Sequence, residues 1–297
     1  MRRGLALTLT VAMLGSLLAG CGSSGGGSAP KADATAAAAP AGGGTEEVTT
    51  PDKVLKFTDQ NAEDSPAGMW EQKFADLVKE YTKGHIEVEL YFNNTLCGYD
   101  IQPLQAGICD FIQYVPSSAG DLDSRLGAFD APYIYRDADH RLAVFDPFNS
   151  EPLKVINEAL KDDGVMLLSS FNSGYRQITC NFPIRNLSDM KGAKIRVVPS
   201  DLYQQLFTAF GAAATPMAFS EVPTALITNV IDGQENPYSV IVSSALYEVQ
   251  KYCMETNHLP TNHGLWMNRN TYESLTPEQQ EAVLKAAYDG LYGQVHS

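Results

Sequence analysis

Two arginines occupy places where a charge is costly. Arg196 lies in Lys194-Ile195-Arg196-Val197, and strand alternation sets it on the face opposite Ile195 and Val197. A cation in a mostly apolar strand needs a partner, and a guanidinium offers a planar fork of donors suited to a carboxylate. Arg176 follows Ser173-Gly174-Tyr175 at the entry to a second strand. Pattern alone leaves two readings level, an internal salt bridge or a bound carboxylate. Gln234-Glu235-Asn236-Pro237 reads as a strand end breaking into a turn, and ligands gather beyond strand ends in α/β folds. Catalytic signatures do not occur in the folded part: beyond the Gly/Ser-rich tether there is no GxSxG, and there is no HExxH and no glycine-rich phosphate loop. His85, His140, His258, His263 and His296 are scattered; His258 and His263 lack an obvious third ligand and read as structural or exposed. Asp121 and Asp123 read as a solvated loop rather than an acid pair. The chemistry on offer is recognition of an acid, with no enzyme activity, metal or cofactor expected.

The elements that must position these residues alternate between strand and helix. Val54–Thr58 is a short strand. Pro66 to Lys83 is an amphipathic helix with Trp70, Phe74, Leu77, Val78 and Tyr81 on one face and Gly84 as its stop. Ile86, Val88, Leu90 and Phe92 then alternate with polar residues as a strand. Such β-α-β units build parallel sheets with right-handed crossovers. The pattern recurs as helix 101–107 with strand 109–115, and helix 150–162 with strand 165–171. A second group follows: strand 176–182, one helical turn at 188–192, strand 193–198, helix 201–210 closed by Gly211, a helix capped by Ser220 and running to about Asn229, strand 231–235 and helix 239–249. Thr276-Pro277-Glu278-Gln279 is a capping box with proline at the first helical position. An alternating α/β chain of this size fits two lobes with a ligand cleft between them.

The ends bear on the compartment. Arg2 and Arg3 precede an apolar stretch from Leu5 to Leu18, too short and too weak for a spanning helix and typical of a secretory signal. It ends in Leu18-Ala19-Gly20-Cys21, where a cysteine directly follows a small-residue cleavage site. This resembles the lipobox of bacterial lipoproteins, in which the cysteine thiol takes a diacylglycerol; two or three acyl chains anchor stably where one is marginal. Residues 21–52 are rich in Gly, Ser, Ala, Pro and Thr without apolar periodicity, and read as a flexible tether behind the signal peptide at 1–20. The net charge of −14 makes nucleic acid an improbable partner. Cys97, Cys109, Cys180 and Cys253 show no CxxC spacing, which argues against zinc; they read as free, mostly buried thiols.

Five segments, in order, carry a family resemblance. Asp189 to Val197 resembles "DLKGLKIRV", Pro216 to Leu226 resembles "PMAFSEVYxAL", and Val230 to Pro237 resembles "VVDGQENP". Tyr247–Tyr252 with Thr256–His258 resembles "YEVQKY…TNH", and Gly174–Gln177 resembles "GxRQ". These are segments of the dicarboxylate-binding (DctP-like) substrate-binding proteins of tripartite ATP-independent periplasmic (TRAP) transporters, and the likeness runs over roughly residues 53–293. It implies a two-lobed α/β periplasmic-binding-protein-like fold with crossing strands and a long hinge helix, with lobe 1 at 53–173 plus about 258–297 and lobe 2 at 174–257. It implies capture of a small organic acid, a C4-dicarboxylate, keto acid or sugar acid, by a monomer that presents it to TRAP membrane permease subunits. By the same resemblance Arg196 grips the ligand carboxylate, Arg176 assists, Asn236 hydrogen-bonds the ligand and Phe219 lines the cleft. The chain departs from the family in a shortened loop after Leu96, and by alignment Val115 and Ser118 replace the acid and arginine of sialic-acid-binding relatives, which lowers sialic acid as a ligand. Family members continue for several helices, so the C-terminus at Ser297 reads as truncated. Delivery to a sensor or to an ATP-driven transporter is the alternative role, and genes for the two TRAP membrane subunits beside this one would discriminate.

Overall fold

A computed structural model describes residues 50–292. The signal peptide, Cys21, most of the tether and the last five residues lie outside the described residues. Among the described residues, ten strands form two five-stranded sheets.

The first sheet contains β1 (Lys53–Thr58), β2 (Ile86–Tyr91), β3 (Phe111–Tyr114), β4 (Val165–Tyr175) and β10 (Pro260–Asn268), in the order β2-β1-β3-β10-β4. β1 runs parallel to β2 and β3, while β10 is antiparallel to β3 and β4. Its central strands are buried on both faces, and successive residues pack into different cores. Leu265 and Met267 join Phe57, Trp70, Phe74 and Phe111 under the helices Pro66–Tyr81 and Pro277–Tyr292, whereas Trp266 joins Leu104, Phe145 and Ile156 on the other side.

The second sheet contains β5 (Gln177–Cys180), β6 (Lys194–Val197), β7 (Ala213–Pro216), β8 (Gly233–Asn236) and β9 (Tyr252–Met254), in the order β7-β6-β8-β5-β9. Ile195 and Val197 of β6 enter a core with Tyr203, Phe207 and Leu259. A second core of Val222, Leu226, Ile231 and Leu246 completes this lobe. The chain passes between the sheets twice, from β4 into β5 at Arg176 and from β9 back into β10 through Thr256–Leu259. The two crossings lie side by side, with the Arg176 N–H donating to the Leu259 carbonyl at 2.9 Å.

Several expected elements differ in detail. The helix read at 101–107 is a single turn, Gln102–Gln105. Ser220 caps nothing; it lies within a 3-10 turn, Phe219–Glu221, and the helix proper is Val222–Ile227 with proline in its first turn. The helix read at 239–249 breaks into Tyr238–Ser243 and the short turn Leu246–Glu248, because Ala245 adopts a left-handed φ of 50°. The Val-Ser-Ser run before Ala245 holds no strong helix former to carry the helix through. The capping box forms as read: Thr276 N–H donates to Gln279 Oε1 at 3.1 Å and Gln279 N–H to Thr276 Oγ1 at 3.3 Å.

Candidate ligand-binding cleft

Alternation in β6 turns Arg196 away from Ile195 and Val197, out of the core and toward the other lobe. The pairing of β6 with β8 sets it beside Gln234. Arg176 reaches the same place from the β4–β5 crossing, and Asn236 from the C-terminal end of β8, where it pairs with Gln177. Phe219 arrives from the turn after β7. All four line one small cavity of about 30 Å³ between the lobes.

The two arginines are bound differently. Arg176 is 2 % exposed and its partner belongs to the chain. Its Nε and Nη2 donate to the two carboxylate oxygens of Glu235, Nη2 also reaching the Glu235 carbonyl at 2.7 Å and Asn236 Oδ1 at 3.1 Å. His258 Nε2 stands 3.3 Å from the same carboxylate. Burial alone would push Glu235 up, but Arg176 and His258 beside it outweigh burial and hold it below the usual carboxylate range. Burial pulls Arg176 down and the Glu235 carboxylate more than reverses that. Of the two readings left open by the sequence, the internal salt bridge is thus met at Arg176.

Arg196 is equally buried, at 2 % exposure. Its Nε and Nη2 both donate to the Met217 carbonyl, at 3.0 and 2.8 Å, and its guanidinium lies 5.8 Å from the Phe219 ring centre. Among the described residues it makes no ion pair with a carboxylate; Glu235 acts on it from a distance and is already engaged by Arg176 and His258. Burial, with the like charge of Arg176, pulls it down to about 10. At neutral pH it remains a desolvated cation with donor capacity to spare, which suits an incoming anion.

A polar chain supports the site. Asn236 Nδ2 donates to Gln234 Oε1 at 2.5 Å, Gln234 Nε2 to Thr179 Oγ1 at 2.7 Å, and Thr179 Oγ1 to Gln250 Oε1 at 3.1 Å. Across the cleft the Phe219 N–H donates to Gln60 Oε1 at 3.3 Å, and the Ser200 hydroxyl to the Ser117 carbonyl at 3.1 Å.

Residues that the sequence reading passed over complete the wall. Gln60, Asn61, Gln113, Thr261 and His263 all come from the first lobe. Gln113 could have been found by the argument used for Arg196, since it interrupts the apolar run Phe111-Ile112-Gln113-Tyr114. His263 gave no such signal; it is buried against Phe171 and Ser173, and burial with the charges of Arg176 and Arg141 lowers it to about 3, so it is neutral. His258 is structural, bridging Glu235 and Thr256. Among the described residues the four cysteines are free, Cys109 and Cys180 buried, Cys97 half-buried and Cys253 exposed, so the expectation of mostly buried thiols fails at Cys253. Among the described residues no cluster of His, Cys, Asp or Glu is placed to hold a metal, and no helix is long and apolar enough to cross a membrane.

Comparison with known proteins decides the family. Residues 57–290 match the family model of DctP, bacterial extracellular solute-binding protein, family 7. The chain belongs to this family of TRAP solute-binding proteins. The 2,3-diketo-L-gulonate-binding periplasmic protein YiaO of Escherichia coli is 30% identical over 238 residues, 79% of this chain and 72% of the relative. The C4-dicarboxylate-binding protein DctB of Bacillus subtilis is 31% identical over 236 residues, 78% and 67% of the two chains. Among solved structures, the sugar acid binding protein DctPAm of Advenella mimigardefordensis, in complex with galactonate, superposes with a TM-score of 0.74 at 30% identity, covering 82% of this chain and 79% of that one. A TRAP periplasmic solute-binding protein of Haemophilus influenzae with bound L-gulonate gives 0.74 at 29% identity, covering 82% and 80%. The fold is accordingly the two-lobed α/β architecture of these extracytoplasmic binding proteins, and the relatives are substrate-binding proteins rather than enzymes.

Proposed function

We propose that this chain captures a small organic carboxylate in the cleft, with Arg196 as the main anchor, and delivers it to the membrane permease of a TRAP transporter. The observation that carries the reading is Arg196: a desolvated guanidinium in the cavity wall, held only by a carbonyl, beside a second arginine whose charge Glu235 already answers. Asn236 and Phe219 complete the ligand contacts, with Arg176 placed to assist. Relatives that bind 2,3-diketo-L-gulonate, C4-dicarboxylates and galactonate support an organic acid as the class. Lobe 1 is assigned to 53–173 with about 258–297 and lobe 2 to 174–257, a division supported by the membership of the two sheets. Cys21 is assigned as the site of lipid attachment on the extracytoplasmic side, on the strength of Leu18-Ala19-Gly20-Cys21.

Native mass spectrometry of the purified protein tests the ligand class directly. A retained adduct that is an organic acid of a few hundred daltons or less is expected, and a retained cationic or neutral ligand would contradict the proposal. For the anchor, Cys21→Ala should leave the membrane fraction; a variant that stays there, unmodified, rules out lipidation at this residue.

A further inference from the structure

The charges around the cavity can be followed group by group. Three arginines are buried near it, and they differ in how an acid reaches them. Arg176 pairs with Glu235. Arg141 stands behind the wall, donating to Asn262 Oδ1 at 2.8 Å and to the Ser170 carbonyl at 2.9 Å. Asn262 in turn donates to Asp130 at 2.9 Å, so this cation has an acid one residue away. Arg196, which lines the cavity itself, donates only to the Met217 carbonyl, and no acid enters its hydrogen-bond network among the described residues. His263 is neutral. The other polar side chains of the wall, among them Gln60, Asn61, Gln113 and Thr261, carry no charge. The first-lobe end is biased the other way. Asp59 accepts from the wall residue Asn61 at 3.0 Å, and no cation pairs with it among the described residues.

Gln113 belongs to this first-lobe wall. It is 1 % exposed and lines the cavity, and neither its amide nitrogen nor its amide oxygen has a hydrogen-bond partner. Buried amides in native proteins are almost always satisfied. An amide offers one donor and one acceptor side by side, whichever way it is flipped. That matches a hydroxyl, which both gives and takes a hydrogen bond. It cannot offset the charge of a carboxylate.

We infer that the acid taken by this cleft carries a single carboxylate and a neutral hydroxyl- or carbonyl-bearing tail, and that Gln113 reads that tail. The inference rests on the carboxylate reading proposed above and narrows it. The Arg196 end accepts one negative charge. A second carboxylate at the Gln113 end would be desolvated with no cation to meet it and with Asp59 close behind the wall. The cleft therefore selects an aldonate-type acid over the dicarboxylate of the same length.

Calorimetric titration of the ligand-stripped protein with matched pairs tests this. Glycerate against tartronate, threonate against tartrate, and galactonate against galactarate each differ only in replacing a terminal hydroxymethyl by a carboxylate; butyrate against succinate covers the unsubstituted case. The tightest-binding monocarboxylate should exceed its dicarboxylate partner by about 30-fold or more. Equal or tighter binding of the dicarboxylate in the best-binding pair overturns the inference while leaving the carboxylate reading intact. Failure of every acid in both columns, together with a non-acidic adduct by mass spectrometry, overturns both. Gln113→Met keeps the volume and removes the amide. It should weaken the hydroxy acid by about tenfold or more at an undiminished melting temperature, and unchanged affinity would remove Gln113 from the role. Gln113→Lys should shift the preference within a pair toward the dicarboxylate; no shift in a folded variant counts against the charge argument.

Discussion

The two cleft arginines differ in what each lacks. Arg176 lacks nothing: both carboxylate oxygens of Glu235 are on its fork, and removing one side of such a buried pair typically costs about 3–5 kcal/mol. Arg196 has only a carbonyl. The variants should separate accordingly. Arg196→Lys keeps the charge, loses the fork and should weaken acid binding by roughly 2–5 kcal/mol, on the order of thirty- to several-thousand-fold, with little change in melting temperature. Arg176→Lys should lower the melting temperature. Titration and thermal melts on the same samples check both, and an Arg196→Lys protein that binds as tightly as the parent removes Arg196 as the anchor. A third residue responds to pH. Asp59 is buried against Glu71; burial raises Asp59 from 3.8 to about 6 and raises Glu71 well above its ordinary value, with the Asp59 charge adding to the latter. A carboxyl whose folded pKa lies above its unfolded one stabilises most below the unfolded value and loses that contribution as pH rises through the folded value. For Asp59 the window is about pH 4 to 6, and the shift corresponds to about 3 kcal/mol. Asp59→Asn should therefore raise the melting temperature relative to the parent more at pH 8 than at pH 4. The opposite trend would show that Asp59 is not held protonated by burial.

At the scale of elements, each sheet has a glycine on an interior strand where neighbouring strands lie too close for a side chain. In β8, a Cβ on Gly233 would collide with the Thr179 carbonyl and sit 2.6 Å from Cys180 Cβ. In β10, a Cβ on Gly264 would stand 2.6 Å from the Tyr114 carbonyl. In each case the nearest atom is a carbonyl oxygen of the neighbouring strand, which cannot swing aside as a side-chain end can. Gly233→Ala should cost about 1–3 kcal/mol and lower the melting temperature by several degrees, and because β8 carries Glu235 and Asn236 it should weaken acid binding too. Gly127→Ala, where a Cβ meets nothing within 4 Å, is the control; equal melting temperatures for the two variants would mean the sheet relaxes freely. The strands and helices most legible in the sequence were those with one wet face, such as β2 and the helix Pro66–Tyr81, since only a half-exposed element shows its period. β10 was missed for the converse reason. Pro260–Asn268 is buried along its whole length and mixes asparagine, histidine and glycine with tryptophan, so neither period nor composition marks it. Arg196, Arg176, Asn236 and Phe219, which line the cavity, could be singled out beforehand because each sits in a distinctive local segment. Gln60, Asn61 and His263 were not, since they reach the cavity only through the pairing of β1, β3 and β10.

At the scale of the whole molecule, the cavity between the lobes has room for about two water molecules, at about 30 Å³. An acid can enter only if the lobes part. The polar contacts that hold the two sides together around it are single neutral hydrogen bonds, the Phe219 N–H on Gln60, the Ser200 hydroxyl on the Ser117 carbonyl and the Ser239 hydroxyl on the Ser173 carbonyl, each contributing only about 0.5–1.5 kcal/mol net, and Val115 of the first lobe packs into the core of the second. The covalent connection is two adjacent crossings, at Arg176 and at Thr256–Leu259, tied by one backbone hydrogen bond. Such a paired ribbon can bend without breaking either sheet, and a ligand that touches both lobes has more contacts in the closed form than in the open one, so it draws the population toward closure. Small-angle scattering should show a smaller radius of gyration with saturating acid than without. Arg196→Lys should need proportionally more acid to reach the same closed radius, because closure follows occupancy. Gln60→Ala, which removes the acceptor of the Phe219 N–H, should shift the unliganded protein toward the open form. An unchanged radius in the parent, under conditions where calorimetry shows full occupancy, would rule out hinge closure as the means by which this cleft holds its ligand.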